Sequence, residues 1–372
     1  MPRVLAINPG STSTKIAVFA DERVLLSETL RHSSEELASF PSITDQFEFR
    51  REIILGTLAG AAIQPSSLDG VVGRGGLLRP LSGGTYLVTD DMLADLRSGF
   101  AGEHASNLGG IIAHHIAQPE GLPSYVVDPV VVDELVPEAR LSGIPELPRT
   151  SIFHALNQKA TARRAAAEMG GRYEELRFVI AHLGGGITVG AHEGGRVIDV
   201  NDGINGDGPF SPERSGGIPA LKILNMATSG QYGADEIKKK IKGEGGMVAY
   251  LSTNDAEEVA HRVADGDDEA RLVMEAMAHQ IAKEIGGMAT VLRGRVDAVI
   301  LTGGLAHDEQ MVAWIQERVG FIAPFRVYPG EDELRALAEG AQRVLRGEEE
   351  ALTYAEGRRR AGTAAATERS ER

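Results

Sequence analysis

The stretch Asn8-Pro9-Gly10-Ser11-Thr12-Ser13-Thr14-Lys15 places one glycine, four consecutive hydroxyl side chains and a lysine side by side. Gly10 has no Cβ and tolerates positive φ, so nearby backbone N–H groups can turn toward one point, and the hydroxyls and Lys15 add donors and a positive charge. Such a point suits an anion, phosphate above all. An ordinary tight turn has the same composition, and this stretch alone leaves both readings open. A P-loop is excluded: that motif ends in Gly-Lys-Ser/Thr and opens a helix, whereas Lys15 here begins the β-branched run Lys15-Ile16-Ala17-Val18-Phe19.

Further candidates repeat the theme. His182 stands directly before Gly184-Gly185-Gly186, where it could donate to a phosphoryl oxygen, and Thr302-Gly303-Gly304 offers a third close backbone approach near the adenosine or α-phosphate. Arg74 lies between glycines, and Arg214 lies in Gly206-Asp207-Gly208-Pro209-Phe210-Ser211-Pro212-Glu213-Arg214-Ser215-Gly216-Gly217, too rich in Gly and Pro for regular structure. A guanidinium on such a loop reaches a carboxylate or phosphate in bidentate fashion, though each arginine alone also reads as a solvated surface residue. Asp128, before Pro129, reads equally as a water-mediated Mg²⁺ or substrate contact and as a turn cap. His104 and His154 are additional candidates that also fit structural roles.

The elements that must carry these residues follow a plan that occurs twice. Residues 4–7 and 15–19 read as a hairpin around the Pro-Gly turn, with a third strand at 23–26. Residues 178–181 open a second series of apolar strand, glycine turn, strand, turn and strand, an internal repeat about half a chain away. Helical patterning spans 33–62 with an interruption near Pro41, and 90–117 reads as two helices broken at Gly102 and at Gly109-Gly110. The stretch 70–76 is a buried strand running into a glycine turn, 125–127 is another strand, and the alanine-rich 151–169 is a helix. Met274, Met277, Ile281, Ile285 and Met288 form a helical core stripe, and 296–301 is a buried strand. The expected organisation is α/β, with domains at 1–175 and 176–346, a last helix from about Asp332 that packs back on the first domain, and a disordered tail at 347–372.

Composition narrows the function. The 372 residues suffice for two domains, and 42% hydrophobic with 24% charged residues is a globular balance. A net charge of −15 disfavours broad binding to nucleic acid or an anionic membrane. The absence of cysteine removes disulfides and thiolate metal sites. With neither a signal-like start nor an apolar run of the ~20 residues that span a bilayer, a cytoplasmic location is expected.

Residues 8–15, 73–78, 128–134, 182–189, 205–215, 301–304 and 328–334 together resemble the acetate and butyrate kinase family of the actin-like phosphotransferase superfamily, over about residues 3–345. The run Asn205-Gly206-Asp207-Gly208-Pro209-Phe210-Ser211-Pro212-Glu213-Arg214-Ser215-Gly216 is the most specific part. The resemblance implies two actin-like (ribonuclease H-like) domains with an interdomain nucleotide cleft, and Mg²⁺-assisted transfer of the ATP γ-phosphoryl to a short-chain carboxylate, giving an acyl phosphate and ADP. It assigns Asn8, Gly10, Ser11, Ser13 and Lys15 to a first phosphate turn, Arg74 and Arg214 to carboxylate and phosphoryl, His182 to the transferred group, and Asp128 to an essential aspartate position. Glu333 or Glu331 would be linked to the metal, His104 matches less closely, and a homodimer or larger homo-oligomer is implied. Val126-Val127-Asp128-Pro129-Val130 departs from the acetate kinase pattern Phe-Asp-Thr-Ala-Phe and favours the butyrate branch. Isobutyrate, propionate or acetate are the alternative acids. A nucleotide-gated binding protein and a sugar kinase on the same scaffold are the alternatives in kind.

Overall fold

The structure, a computed structural model, describes residues 1–361. The chain forms two compact units, one of residues 1–134 together with 332 onward, the other of residues 135–331.

In the first unit the strands are β1 (Arg3–Pro9), β2 (Ser13–Ala20), β3 (Arg23–Arg31), β4 (Gly70–Arg74), β5 (Thr85–Leu87) and β6 (Ser124–Val127), in the spatial order β3-β2-β1-β4-β6-β5. β1 pairs antiparallel with β2 and parallel with β4, and β4 runs parallel to β6. The central strands are covered on both faces, so Val4-Leu5-Ala6-Ile7 is apolar without alternation, whereas β3 at the edge is mostly exposed. Leu5, Ile7, Ile16 and Val71 pack with Ile54 and Leu58 of the helix Phe47–Gly60 and with Leu108 and Ile112 of the helix Asn107–Ala117. The helix Glu333–Leu345 covers the other face, crossing β1, β4 and β6.

The second unit repeats this arrangement. Its strands are β7 (Arg177–Leu183), β8 (Ile187–Glu193), β9 (Arg196–Val200), β10 (Ala298–Gly303) and β11 (Phe325–Pro329), and the order β9-β8-β7-β10-β11 matches β3-β2-β1-β4-β6 in sequence and direction. Even the register irregularity recurs, at Val18/Phe19 between β2 and β3 and at Ala191/His192 between β8 and β9. The methionine stripe of the helix Asp268–Val291 lies in the core against Val179, Ala181 and Val189.

Three expectations need correction. The helix Ala155–Glu168 follows β6 in the chain but packs on β7 and β10 of the second unit, so the division falls after Glu134 and not after 175. Gly109-Gly110 does not break a helix; it lies inside Asn107–Ala117, where a Cβ on Gly109 would overlap the Arg74 carbonyl and one on Gly73 the Gly109 carbonyl. Residues 347–361 are ordered: Leu352 bridges Tyr86, and Tyr354, which opens the helix Tyr354–Arg360, is buried and donates to Asp95 Oδ2 at 2.7 Å. The part of the expected tail at 362–372 lies outside the described residues.

Candidate active site

In the first unit the hairpin turn joins β1 to β2, with Asn8 opposite Lys15 and Pro9 opposite Thr14. Its carbonyls are all engaged. Arg50, only 1% exposed, donates to Gly10 O (2.8 Å), Ser11 O (3.1 Å) and Ser13 O (3.1 Å), and the His32 amide donates to Thr12 O at 2.9 Å. The exposed side chains of Ser11, Thr12 and Lys15 face solvent.

Beside this turn, at the end of β4, Arg74 forms an ion pair with Glu333, whose other oxygen accepts from Asn8 Nδ2; Asn8 Oδ1 lies 3.4 Å from Arg74 Nη1. The three side chains close a small ring built from β1, β4 and the first residue of the helix Glu333–Leu345. Asp128 follows β6 with φ 37°, a left-handed conformation uncommon outside glycine, and is 1% exposed. Its Oδ1 accepts the Gly84 amide at 2.8 Å, which holds the carboxylate in place. His104 is exposed, with Nδ1 2.7 Å from Ser106 Oγ ahead of the helix Asn107–Ala117.

In the second unit the turn Gly184-Gly185-Gly186 joins β7 to β8, and what flanks it explains its composition. A Cβ on Gly184 would meet the His182 ring at 2.9 Å, and one on Gly186 would overlap the Arg214 guanidinium. One glycine turn therefore fits between an imidazole and an arginine. Arg214 Nη1 also bonds Gly203 O, and burial pulls its pKa down from the usual guanidinium value while Glu213 and Asp202 oppose the shift. The rings of His182 and His154 stack with centroids 3.8 Å apart. His182 Nδ1 lies 2.8 Å from Asn157 Oδ1, an acceptor, so with the amide so oriented Nδ1 carries the proton. Nε2 lies 3.7 Å from Glu331 Oε2. His154 Nδ1 is held 2.9 Å from Thr188 Oγ1.

Gly184, Gly185 and Gly304 line a cavity of about 660 Å³ with Pro212, Leu305 and Asp308, within the size range of small-molecule sites. Thr302 and Gly303 do not line it. Gly303 has φ 92° with its Cα pressed against the Leu183 backbone, and Thr302 Oγ1 donates to Gly330 O at 3.1 Å, so both shape the end of β10.

A family model described as the acetokinase family matches residues 101–323, more than half of the chain. The chain belongs to the acetokinase family. It is thus a carboxylate kinase, in a family that uses ATP and a divalent metal. Among solved structures, acetate kinase from Porphyromonas gingivalis shares 19% identity over 93% of this chain and 100% of its own, with a TM-score of 0.77. Acetate kinase from Entamoeba histolytica gives 18% identity, 91% and 99% coverage and a TM-score of 0.73. A propionate kinase from Francisella tularensis subsp. tularensis SCHU S4 gives 19%, 91%, 99% and 0.70. At these identities the similarity establishes the fold, two actin-like α/β domains.

The acetokinase fold thus gathers Asn8, Arg74, Glu333 and the first turn in one unit and His154, His182, Arg214, Glu331 and the glycine turn in the other. Among the described residues there is no cluster of three or more acidic or histidine side chains able to cage a metal. Mg²⁺ binds through one or two carboxylates and keeps phosphate and water for the rest, and each Glu333 oxygen retains a lone pair beyond its Asn8 or Arg74 contact. No helix among the described residues is long and apolar enough to cross a membrane. Sequence reasoning missed Arg50, Asn157 and Thr188. Arg50 did carry a signal: with Ile54 and Leu58 it occupies the buried stripe of the helix Phe47–Gly60, where an unpaired arginine is costly.

Proposed function

We propose that this acetokinase-family chain phosphorylates the carboxylate of butyrate from ATP, reversibly, giving butyryl phosphate and ADP by direct in-line transfer. Arg74 would hold the acid's carboxylate, exchanging it for Glu333, and the turn from Gly10 to Lys15 would take phosphate oxygens. The second unit would receive the nucleoside in the 660 Å³ cavity beside Gly184 and Gly304 and meet the transferred phosphoryl with Arg214 and His182. Glu333 would hold Mg²⁺, which when bound with ATP neutralises charge on the β- and γ-oxygens. Asp128, its carboxylate fixed by Gly84 N, would act on substrate placement.

The single observation that carries this assignment is the flanking of one glycine turn by an imidazole and a guanidinium, a donor arrangement for an oxyanion. A carboxylate acceptor is already ionised near neutrality, with a pKa around ~4.3, so it needs no general base, only charge neutralisation and alignment. A sugar acceptor would need a base beside its hydroxyl and would leave Arg74 little to hold. Support for butyrate over acetate comes from the sequence around Asp128, while a propionate kinase among the structural neighbours makes propionate the second choice. A methylene changes pocket affinity by only about 1–3 kcal/mol, so the acids should overlap as substrates. A cytoplasmic homo-oligomer is part of the proposal.

Incubation with Mg-ATP and a panel of carboxylates in hydroxylamine should give hydroxamate fastest with butyrate and more slowly with acetate. ATP consumption indifferent to every acid would refute the kinase assignment, and faster acetate turnover would refute the choice of butyrate.

A further inference from the structure

We propose that Arg50 is a positioning residue for nucleotide phosphate: it ties back the carbonyls of the first turn so that the amides of Ser11 and Thr12 face the ligand. The guanidinium meets Gly10 O at 2.8 Å, Ser11 O at 3.1 Å and Ser13 O at 3.1 Å, and the remaining carbonyl, Thr12 O, takes the His32 amide at 2.9 Å. In a planar trans peptide the N–H of each residue points opposite to the preceding C=O. Carbonyls 10 and 11 held by the buried guanidinium therefore turn amides 11 and 12 away from it, on the side of the exposed Ser11 and Thr12 side chains. Among the described residues, the Ser11 and Thr12 amides have no backbone or side-chain acceptor. An anion is the ligand that such amides fit.

Arg50 is itself fixed from behind. Gln46 Oε1 accepts from Nε at 3.2 Å and from Nη2 at 2.8 Å, one helical turn earlier in Phe47–Gly60 and its lead-in, and Thr14 Oγ1 accepts from Nη1 at 3.1 Å. Thr14 Oγ1 lies 2.9 Å from His32 Nε2, so the hydroxyl can donate a hydrogen bond to a neutral His32, the form favoured by burial and by the nearby Arg50 charge. Burial lowers the Arg50 pKa to about 10, which leaves it charged near neutrality. Lysine cannot replace this arrangement, because an ammonium has three donors on one atom and no planar fork to span the turn.

Because it rests on the proposed kinase function, the test includes a readout that needs no turnover. For Arg50→Lys, the KM for ATP should rise about tenfold or more with a smaller change in the KM for butyrate. In parallel, hydrogen exchange of the peptide covering residues 8–16 is measured on the intact protein with and without Mg-ATP. Wild type should show ATP-dependent protection there, and Arg50→Lys should lose it. In Arg50→Ala, added guanidinium, but not ammonium, should restore part of the protection and activity. Should both Arg50 variants fail to fold, Gln46→Met, which releases only the back edge of the guanidinium, should weaken the ATP protection. Arg50→Lys with wild-type KM and full protection would overturn the proposal, as would unchanged protection in a folded Gln46→Met. If wild type protects the turn with ATP but turns over no acid, the kinase assignment fails while the role of Arg50 is still decided.

Discussion

At Gly186 the missing side chain is replaced by a guanidinium. A methyl group placed there would overlap Arg214, the free end of a flexible side chain and not fixed backbone, so the protein can relieve the clash by swinging the arginine away. Gly186→Ala is therefore expected to leave the fold intact and to disarm the site. Turnover should fall about 10²–10³-fold, the loss typical of removing one oriented donor from a developing anion, while the melting temperature stays close to wild type. Acid-dependent turnover beside thermal unfolding checks both halves; normal turnover would mean that Arg214 does not need its place beside the turn. His182 shows what residue types alone could convey. Its position before three glycines was legible, but the partner that fixes its tautomer, Asn157, lies in the helix Ala155–Glu168 with no motif to mark it.

Among the elements, the strand-and-glycine plan was readable twice because buried central strands are apolar throughout and their turns concentrate glycine. The helices were less legible. Gly109-Gly110 reads locally as a break, yet the pair exists so that the helix Asn107–Ala117 can lie directly on the end of β4, backbone against backbone. The domain boundary was hidden for a related reason: the helices Ala155–Glu168 and Glu333–Leu345 each follow the last long strand of one repeat in sequence and cover the sheet of the other, and only tertiary contacts reveal that exchange. Gly109→Ala should consequently behave unlike Gly186→Ala. Its methyl would meet the Arg74 carbonyl, which cannot swing aside, so the helix must lift from β4 at a cost of about 1–3 kcal/mol. Urea titration should show a lower midpoint with an unchanged slope, and turnover should fall as well because Arg74 moves with its backbone. An unaltered midpoint would show that the helix can shift freely.

Across the whole molecule, acid should act through buried neutral histidines before it reaches most carboxylates. His192 is fully buried between Tyr173 OH, 2.8 Å from Nδ1, and Gln158 Oε1, 2.9 Å from Nε2; burial, then Lys159 and Arg163, hold its pKa well below the usual histidine value. His32 in the first unit is shifted the same way by burial and Arg50. A histidine with a depressed folded pKa takes up its proton in the unfolded chain first, so it costs nothing above about pH 6.5 and removes stability progressively as pH falls below that value. Each such group contributes up to about 1.4 kcal/mol per pH unit over that window. Glu284 and Glu339 work in the opposite sense, since burial raises their pKa values and their protonation on acidification relieves the folded state. The net slope for wild type mixes these effects, but a difference between variants isolates one. His192→Gln cannot titrate, so its unfolding free energy, measured by urea titration between pH 8 and 5, should lie below wild type at the alkaline end and approach it at the acid end. Parallel curves for the two proteins would show that His192 is able to accept its proton without unfolding the sheet around β8.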